Sequence, residues 1–353
     1  MAFKCQRWTL ANVLPVAFVI WIIGTIWFLY GWLHLWVLLQ LHVESALRDE
    51  ARFQRGFIQA CVSQSLTLLL LICFIRAIFT DPGSVPETPE WRNREYSLKA
   101  KYSSEDTKDR DGDKLEHHEV KQSGERRFCK WCDRYKPDRC HHCRVCRSCI
   151  LRMDHHCPWI ANCVGFRNHK FFFLLVFYAL ADVAFIIITM TESVTRAVTD
   201  ETPSKHRFLL VFCMTLSVIM GLLLQMFFAL HVWLMLKATT TIEFCEKRHR
   251  RTVVGGPVSW NVGIIKNMQA VLGSNFFLWL LPLSPPDGEG LYFERATRNP
   301  GEAQESSETA ALLADQANKE EGASSSRAHG QAASSGAPES SAPEVTGDKA
   351  AAV

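Results

Sequence analysis

Four apolar blocks, 11–39, 57–79, 171–191 and 208–236, govern what this chain of 353 residues can become. Each is at least as long as the ~20 residues with which an α-helix crosses the hydrocarbon core of a bilayer. A buried helix of a soluble protein is the competing explanation for each block. It competes best for the second, where Arg76 near the end has to snorkel to the interface. The first block is too long for a signal peptide, carries Trp21, Trp27, Trp32 and Trp36, and runs into no small-residue cleavage pattern. Its tryptophans suit the aromatic belts of a spanning helix. The chain reads as an all-α polytopic membrane protein with four transmembrane helices.

Lysine and arginine orient it. They are dense in 81–170 and in the run Lys247-Arg248-His249-Arg250-Arg251, whereas the loops 41–56 and 192–207 mix a few of them with acids. The positive-inside rule then puts both termini and the long segment between the second and third spans in the cytosol. The expected order is a cytosolic 1–10, a first span 11–39, a lumenal loop 40–56, a second span 57–79 and a cytosolic linker 80–128. A cysteine-rich domain 129–170, a third span 171–191, a lumenal loop 192–207, a fourth span 208–236 and a cytosolic region 237–298 follow. Composition predicts a loosely packed 92–127 and a disordered tail 299–353, rich in Ala, Ser, Glu and Gly. Within the tail, Glu308, Leu312 and Leu313 have the spacing of an acidic dileucine sorting signal. Cys5 and Cys245 are juxtamembrane thiols open to acylation.

Between Cys129 and Cys163 lie eight of the thirteen cysteines and four of the thirteen histidines. The run is Cys129-x2-Cys132, Lys136-Pro137-Asp138-Arg139-Cys140-His141-His142-Cys143-x2-Cys146-x2-Cys149, Asp154-His155-His156-Cys157-Pro158-Trp159 and Asn162-Cys163. Cys-x2-Cys pairs bring two thiolates to one ion, and a closed zinc site takes four Cys or His ligands. Two zincs need eight ligands where twelve candidates stand, so four side chains are left over. Disulfides are disfavoured, because a Lys- and Arg-rich cytosolic loop sits in a reducing compartment.

Cys157 is the odd thiol. Only about seven residues separate Cys163 from Phe171 at the start of the third span, and an extended residue reaches at most ~3.5 Å. That holds Cys157 near the cytosolic interface. A thiol at the mouth of a four-helix bundle suits a substrate with one end in water and one in lipid, such as a fatty acyl thioester. A free thiol is only a few per cent ionised at neutral pH and needs a neighbouring base. His155, two residues before, is the candidate base, and Asp154 or another acceptor can hold its tautomer. If one histidine of the adjacent pair ligates zinc and its neighbour points the other way, one fixes the loop and the other activates sulfur.

The segment from Cys129 to Phe173 resembles the DHHC cysteine-rich domain of the membrane protein S-acyltransferases, or palmitoyltransferases. The match runs through Cys-x2-Cys, Lys-Pro-x-Arg, His-His-Cys-x2-Cys-x2-Cys, Asp-His-His-Cys-Pro-Trp, Asn-Cys-Val-Gly, Asn168 and Phe172. Asp81-Pro82-Gly83, Thr240-Thr241-Ile242-Glu243 and Asn267 extend it over roughly residues 10 to 285. Cys140 departs from it, since a small residue is usual there.

The resemblance implies two structural zinc ions, one held by Cys129, Cys132, His142 and Cys149 and the other by Cys143, Cys146, His156 and Cys163. It implies palmitoyl-CoA as co-substrate and ping-pong transfer through an S-acyl enzyme on Cys157, with His155 and Asp154 as catalytic partners. Thr241 is expected to position Asp154, with Asn267 a further support. Charge and position make Lys136 and Arg139 candidates for the CoA phosphates. Trp159, Tyr178 and Asp182 are expected at the acyl cavity. An ionisable group as deep as Asp182 either limits chain length or bonds another helix, for which Gln64, Gln225 and His231 are candidates. His141 is read as a packing residue and Cys140 as inert. Partners would be the lipid bilayer and membrane-associated proteins with cytosolic cysteines. Residence in an endomembrane is implied, the Golgi ahead of the endoplasmic reticulum and plasma membrane. The alternatives are a catalytically inactive, zinc-containing membrane adaptor and a RING-type ligase; nucleic-acid binding is disfavoured by the membrane tether and the lack of a recognition-helix pattern.

Overall fold

Helix α1 (Leu10–Tyr30) passes through a π-helical turn, Gly31–Leu35, into α2 (Trp36–Leu39), making one apolar span of 30 residues. In this computed structural model, residues 9–41, 43–92, 119, 126–199, 203–247 and 259–294 are described. Cys5, the basic run 248–251, most of the 92–127 segment and the tail with its dileucine-like motif lie outside them. The second span, α3 (Glu50–Phe79), begins seven residues ahead of the expected block. The Asp49 side chain caps its first turn by accepting from the backbone N–H groups of Ala51 (3.1 Å) and Arg52 (3.2 Å). Hydropathy marks only the part of a helix that meets hydrocarbon, whereas backbone hydrogen bonding carries it on into the polar layer. For the same reason α5 (His169–Thr199) and α6 (Ser204–Leu236) overrun the expected 171–191 and 208–236. All four helices are long and apolar enough to cross a membrane.

The third span, α5, is the centre of the bundle and packs along both α3 and α6. The other three leave most of their apolar side chains on the outside, as lipid-facing helices do. Among the described residues between α3 and α5 are a short helix, α4 (Pro89–Arg92), and three antiparallel two-stranded hairpins. These pair β1 (Phe128–Cys129) with β2 (Arg134–Tyr135), β3 (His141–Cys143) with β4 (Ser148–Ile150), and β5 (His155–Cys157) with β6 (Asn162–Val164). Beyond α6 come α7 (Thr241–Lys247) and α8 (Ile264–Leu272).

The hairpin module is fastened to the bundle by polar groups at helix ends. The Asn162 amide donates to the carbonyls of Ala77, Ile78 and Thr80 at the close of α3, and the Asn168 amide to those of Ala77 and Cys163. The carbonyls at the close of α3 are among the groups that a helix end leaves without intrahelical partners. Asp81-Pro82-Gly83 then turns the chain onto the module. Gly83 takes φ +98°, which a side chain would strain, while Asp81 accepts from the Gly83 N–H at 2.7 Å. The Gly83 carbonyl accepts from Leu151 and the Pro82 carbonyl from Arg167. Gly165 closes the contact: a Cβ there would stand 2.6 Å from both Ile150 and the Pro82 carbonyl.

Candidate active site

The alternation of a β-strand sorts the ligands. Neighbouring residues of a strand point to opposite faces and residues two apart share one, so His142 and Cys143 on β3 must serve different ions. The structure places them so. His142 is registered opposite Cys149 and gathers with Cys129 and Cys132, its Nδ1 lying 3.5, 3.2 and 3.9 Å from the Sγ atoms of Cys129, Cys132 and Cys149. Cys143 gathers with Cys146, His156 and Cys163, where His156 Nδ1 lies 3.8, 3.5 and 3.6 Å from the three sulfurs. In each group the ligand atoms all fall within 4.8 Å of one another. A zinc tetrahedron with Zn–S of about 2.3 Å and Zn–N of about 2.0 Å has edges of roughly 3.5–3.8 Å. Three thiols and one imidazole at these separations fit zinc twice.

The same alternation on β5 separates His156 from its neighbours. His156 faces Cys163 across the hairpin and joins the second ligand set, leaving His155 and Cys157 on the other face. There His155 Nδ1 is 2.7 Å from Asp154 Oδ2, and Cys157 stands two residues on along the same strand face, near enough to act on the charge of the ring. Asp154 is buried and held in turn by Thr241, whose N–H donates to Oδ1 (3.0 Å) and whose hydroxyl donates to Oδ2 and to the Asp154 carbonyl (3.0 Å). Burial opposes charge on Asp154, yet the His155 bond, the nearby histidines and Thr241 hold its carboxyl well below the usual carboxylate range. Burial would likewise lower His155, but its bond to Asp154 and the nearby Cys157 outweigh that and lift it to about 9. Such a set can take a thiol proton and keep it.

Cys157 is only 4% exposed and sits among Val16 of α1, Phe74, Ala77 and Ile78 of α3, and Phe171 and Phe172 of α5. The thiol therefore lies where the hairpin module meets three of the long helices. Deeper in α5, Asp182 Oδ2 accepts from Thr67 on α3 at 2.9 Å, while its Oδ1 is buried without a partner among the described residues. Thr67, rather than Gln64, Gln225 or His231, is the interhelical partner, and Gln64 instead accepts from the Trp27 indole. The Tyr178 hydroxyl donates to the Leu280 carbonyl at 2.6 Å. Trp159 is half exposed and leans on Phe18, with ring centroids 6.3 Å apart. Arg76 does not simply snorkel, since its guanidinium lies 4.3 Å over the Phe171 ring.

Arg139 is not where a phosphate-binding arginine is expected. It is 3% exposed, forms a bidentate pair with Glu243 (2.6 and 2.9 Å), and donates to the Ala238 carbonyl. Its charge is matched internally, and it clamps the Thr-Thr-Ile-Glu segment so that Thr241 meets Asp154. Lys136 is half-buried beside the first ligand set. Asn267 is fully buried, donates to the Leu236 carbonyl at the end of α6, and accepts from the Val262 N–H. Cys140 is buried against Cys149, and His141 Nδ1 is 3.7 Å from Glu246.

By sequence, His231 is a candidate only for bonding Asp182. It stands instead beside the catalytic candidates, with its ring centroid 6.0 Å from that of His155 and 5.3 Å from Phe172, and its Nε2 buried without a partner among the described residues. A histidine inside an apolar helix was the available signal.

A multi-pass membrane bundle bearing a double zinc-type module with a spare thiol is the class that fold and site define. The model of the family described as DHHC palmitoyltransferase matches residues 122–248. Palmitoyltransferase ZDHHC15 of Mus musculus is 38% identical over 181 residues, which are 50% of this chain and 52% of that protein. Palmitoyltransferase ZDHHC2 of Mus musculus is 39% identical over 175 residues, 48% of this chain and 47% of that one. Probable protein S-acyltransferase 12 of Arabidopsis thaliana is 36% identical over 231 residues, 63% of this chain and 72% of the plant protein. The alignments with the two mouse proteins thus span about half of their length. The chain belongs to the DHHC palmitoyltransferase family.

Proposed function

We propose that this chain is a protein S-acyltransferase that moves palmitate, or a similar long acyl group, from acyl-CoA to cysteines of membrane-associated proteins. The observation that carries the proposal is a buried thiol and a carboxylate-oriented imidazole on one strand face, at the head of four apolar helices. The names of the relatives point the same way.

In the first half-reaction the Cys157 proton passes to His155 and the sulfur attacks the thioester carbonyl. The carbonyl–sulfur bond to CoA breaks, and the leaving thiolate recovers the proton from His155. In the second, a substrate cysteine gives its proton to His155 and attacks the acyl group, and Cys157 leaves and is reprotonated. One thioester replaces another at each step, so no large energy source is needed. The chain supplies proximity, an oriented base and exclusion of water from the buried Cys157. Zinc, when bound to its eight ligands, would supply fold rather than chemistry, because four filled positions leave none for water. Trp159, Tyr178 and Asp182 would line or close the acyl path, and Lys136 would meet the CoA phosphates. The distribution of Lys and Arg supports a cytosolic module, and we assign the protein to an endomembrane, the Golgi first.

The test is incubation of the detergent-purified, zinc-loaded protein with labelled palmitoyl-CoA. Hydroxylamine-sensitive label on the protein, lost in Cys157→Ser, is the expected result. A folded protein that takes no label, or a Cys157→Ser variant that keeps it, would leave the inactive adaptor as the better reading.

A further inference from the structure

Residues 274–287 are expected in the cytosolic region by their place in the sequence, yet this loop turns large apolar side chains outward. The loop's base is closed by the Ser274 N–H donating to Asp287 Oδ2 at 2.8 Å. Its tip carries Phe276, Phe277, Leu280, Leu281 and Leu283 at 68, 85, 56, 40 and 59% exposure. Five large apolar side chains turned outward within eight residues form the kind of patch that marks an interaction surface.

Five of the seven backbone N–H groups beneath them, across 276–283, are satisfied from inside. The N–H of Phe277 is taken by the Asn275 side chain, and those of Leu278, Trp279, Leu281 and Leu283 by carbonyls of the same loop. The Leu278 carbonyl accepts from Lys170 Nζ at 2.8 Å and the Leu280 carbonyl from the Tyr178 hydroxyl at 2.6 Å. The Trp279 indole donates to the Gly273 carbonyl, and its ring packs on the cluster of Phe173, Met235, Val271 and Leu272. Non-helical backbone is tolerated at membrane depth only where its polar groups are met by protein. Water would make no such demand on an exposed loop.

Depth is fixed by Tyr178. It lies on the apolar span α5, roughly 13 Å along the helix from His169 at 1.5 Å per residue. A carbonyl bonded to its hydroxyl is beside the hydrocarbon-facing part of the bundle. The outward apolar surface of the loop is therefore continuous with the lipid-facing surface of the spans, and its occupant is the acyl region of the near leaflet.

We propose that 276–283 is a re-entrant apolar loop that anchors the region after α6 in the bilayer on the side of the metal module. The anchor is independent of the acyl-transfer reading. It gives α8, and through it the buried Asn267 and the Ala270 carbonyl that accepts from Arg152 at 2.6 Å, a fixed height relative to the site.

The test places p-benzoylphenylalanine at position 277, or at 281 as a second variant, in the full chain reconstituted in phosphatidylcholine nanodiscs. Position 222 on α6, 64% exposed, reports contact with lipid, and position 145 on the metal module, 55% exposed, reports contact with water. After irradiation and digestion, mass spectrometry should find lipid adducts at 277 and 281 in yield close to that at 222 and about tenfold above that at 145. Yields at 277 and 281 no higher than at 145, or cross-links there to a second copy of the chain instead of lipid, would overturn the proposal.

Discussion

His155 Nδ1 lies 2.7 Å from Asp154 Oδ2, and Cys157 is the neighbour of His155 on one face of β5. Thr241, from beyond the fourth span, holds the far side of that carboxylate. An orienter held by a separate element fixes the tautomer of the base before substrate arrives. Asp154→Asn should therefore slow acylation of Cys157 by about 100- to 10,000-fold with both zincs retained. Thr241→Val should slow it less, by about tenfold. Single-turnover labelling alongside zinc analysis checks both; a Thr241→Val protein as slow as Asp154→Asn would mean that Thr241 does more than position the acid.

The two histidines of the tetrad should part company in metal content. His156→Ala should lose one of two zinc equivalents and destabilise the module, whereas His155→Gln should keep both and lose only activity. Atomic absorption on purified variants decides this. Equal zinc loss from both would contradict the face assignment on β5. Stripping both ions with a strong chelator should unfold the hairpins, since metal binding in such modules contributes on the order of 10 kcal/mol to folding.

Gly165 should accept no side chain. A methyl there would press on Ile150 and on the Pro82 carbonyl at 2.6 Å, and the carbonyl belongs to a turn that cannot yield freely. Gly165→Ala should cost about 1–3 kcal/mol, seen as a lower melting temperature in detergent. An unchanged melting temperature would show that the module and the Asp-Pro-Gly turn are less tightly docked than the geometry requires.

The Arg139–Glu243 pair should be a stability element with a definite pH dependence. Burial opposes the Glu243 charge, but Arg139 outweighs it and holds the carboxyl below its ordinary value of 4.5. A depressed carboxylate stabilises the fold above its unfolded pKa, and that contribution fades as pH falls through the lower folded value. Arg139→Ala, which strands a buried carboxylate, should cost about 3–5 kcal/mol at neutral pH. The melting difference between wild type and Glu243→Gln should shrink as pH drops below about 4.5. A difference that does not change with pH would count against the pair.

Asp182 and Thr67 tie α5 to α3 with one carboxylate oxygen left over. If Asp182 closes the acyl path, Asp182→Ala should extend the accepted chain by two to four carbons (about 0.8 kcal/mol for each buried methylene). Thr67→Val, which removes only the bond, should shift the profile less. Assays with acyl-CoAs of graded length test this, and an identical profile in Asp182→Ala would confine the residue to helix pairing.

The sequence alone determined the four spans and the surplus of ligands over metal sites. Both are one-dimensional facts, the first a matter of apolar length against bilayer thickness and the second of counting. It also narrowed the proposed nucleophile to Cys157. It could not say that Arg139 is spent on Glu243, that Thr67 answers Asp182, or that His231 stands beside His155. These pairings join residues far apart in the chain, and only helix packing sets which faces meet. It offered His155 as the base, but not the physical reason why the two adjacent histidines part. That required the extended backbone of β5, because alternation of side chains in a strand sends His156 to the metal set and leaves His155 and Cys157 together.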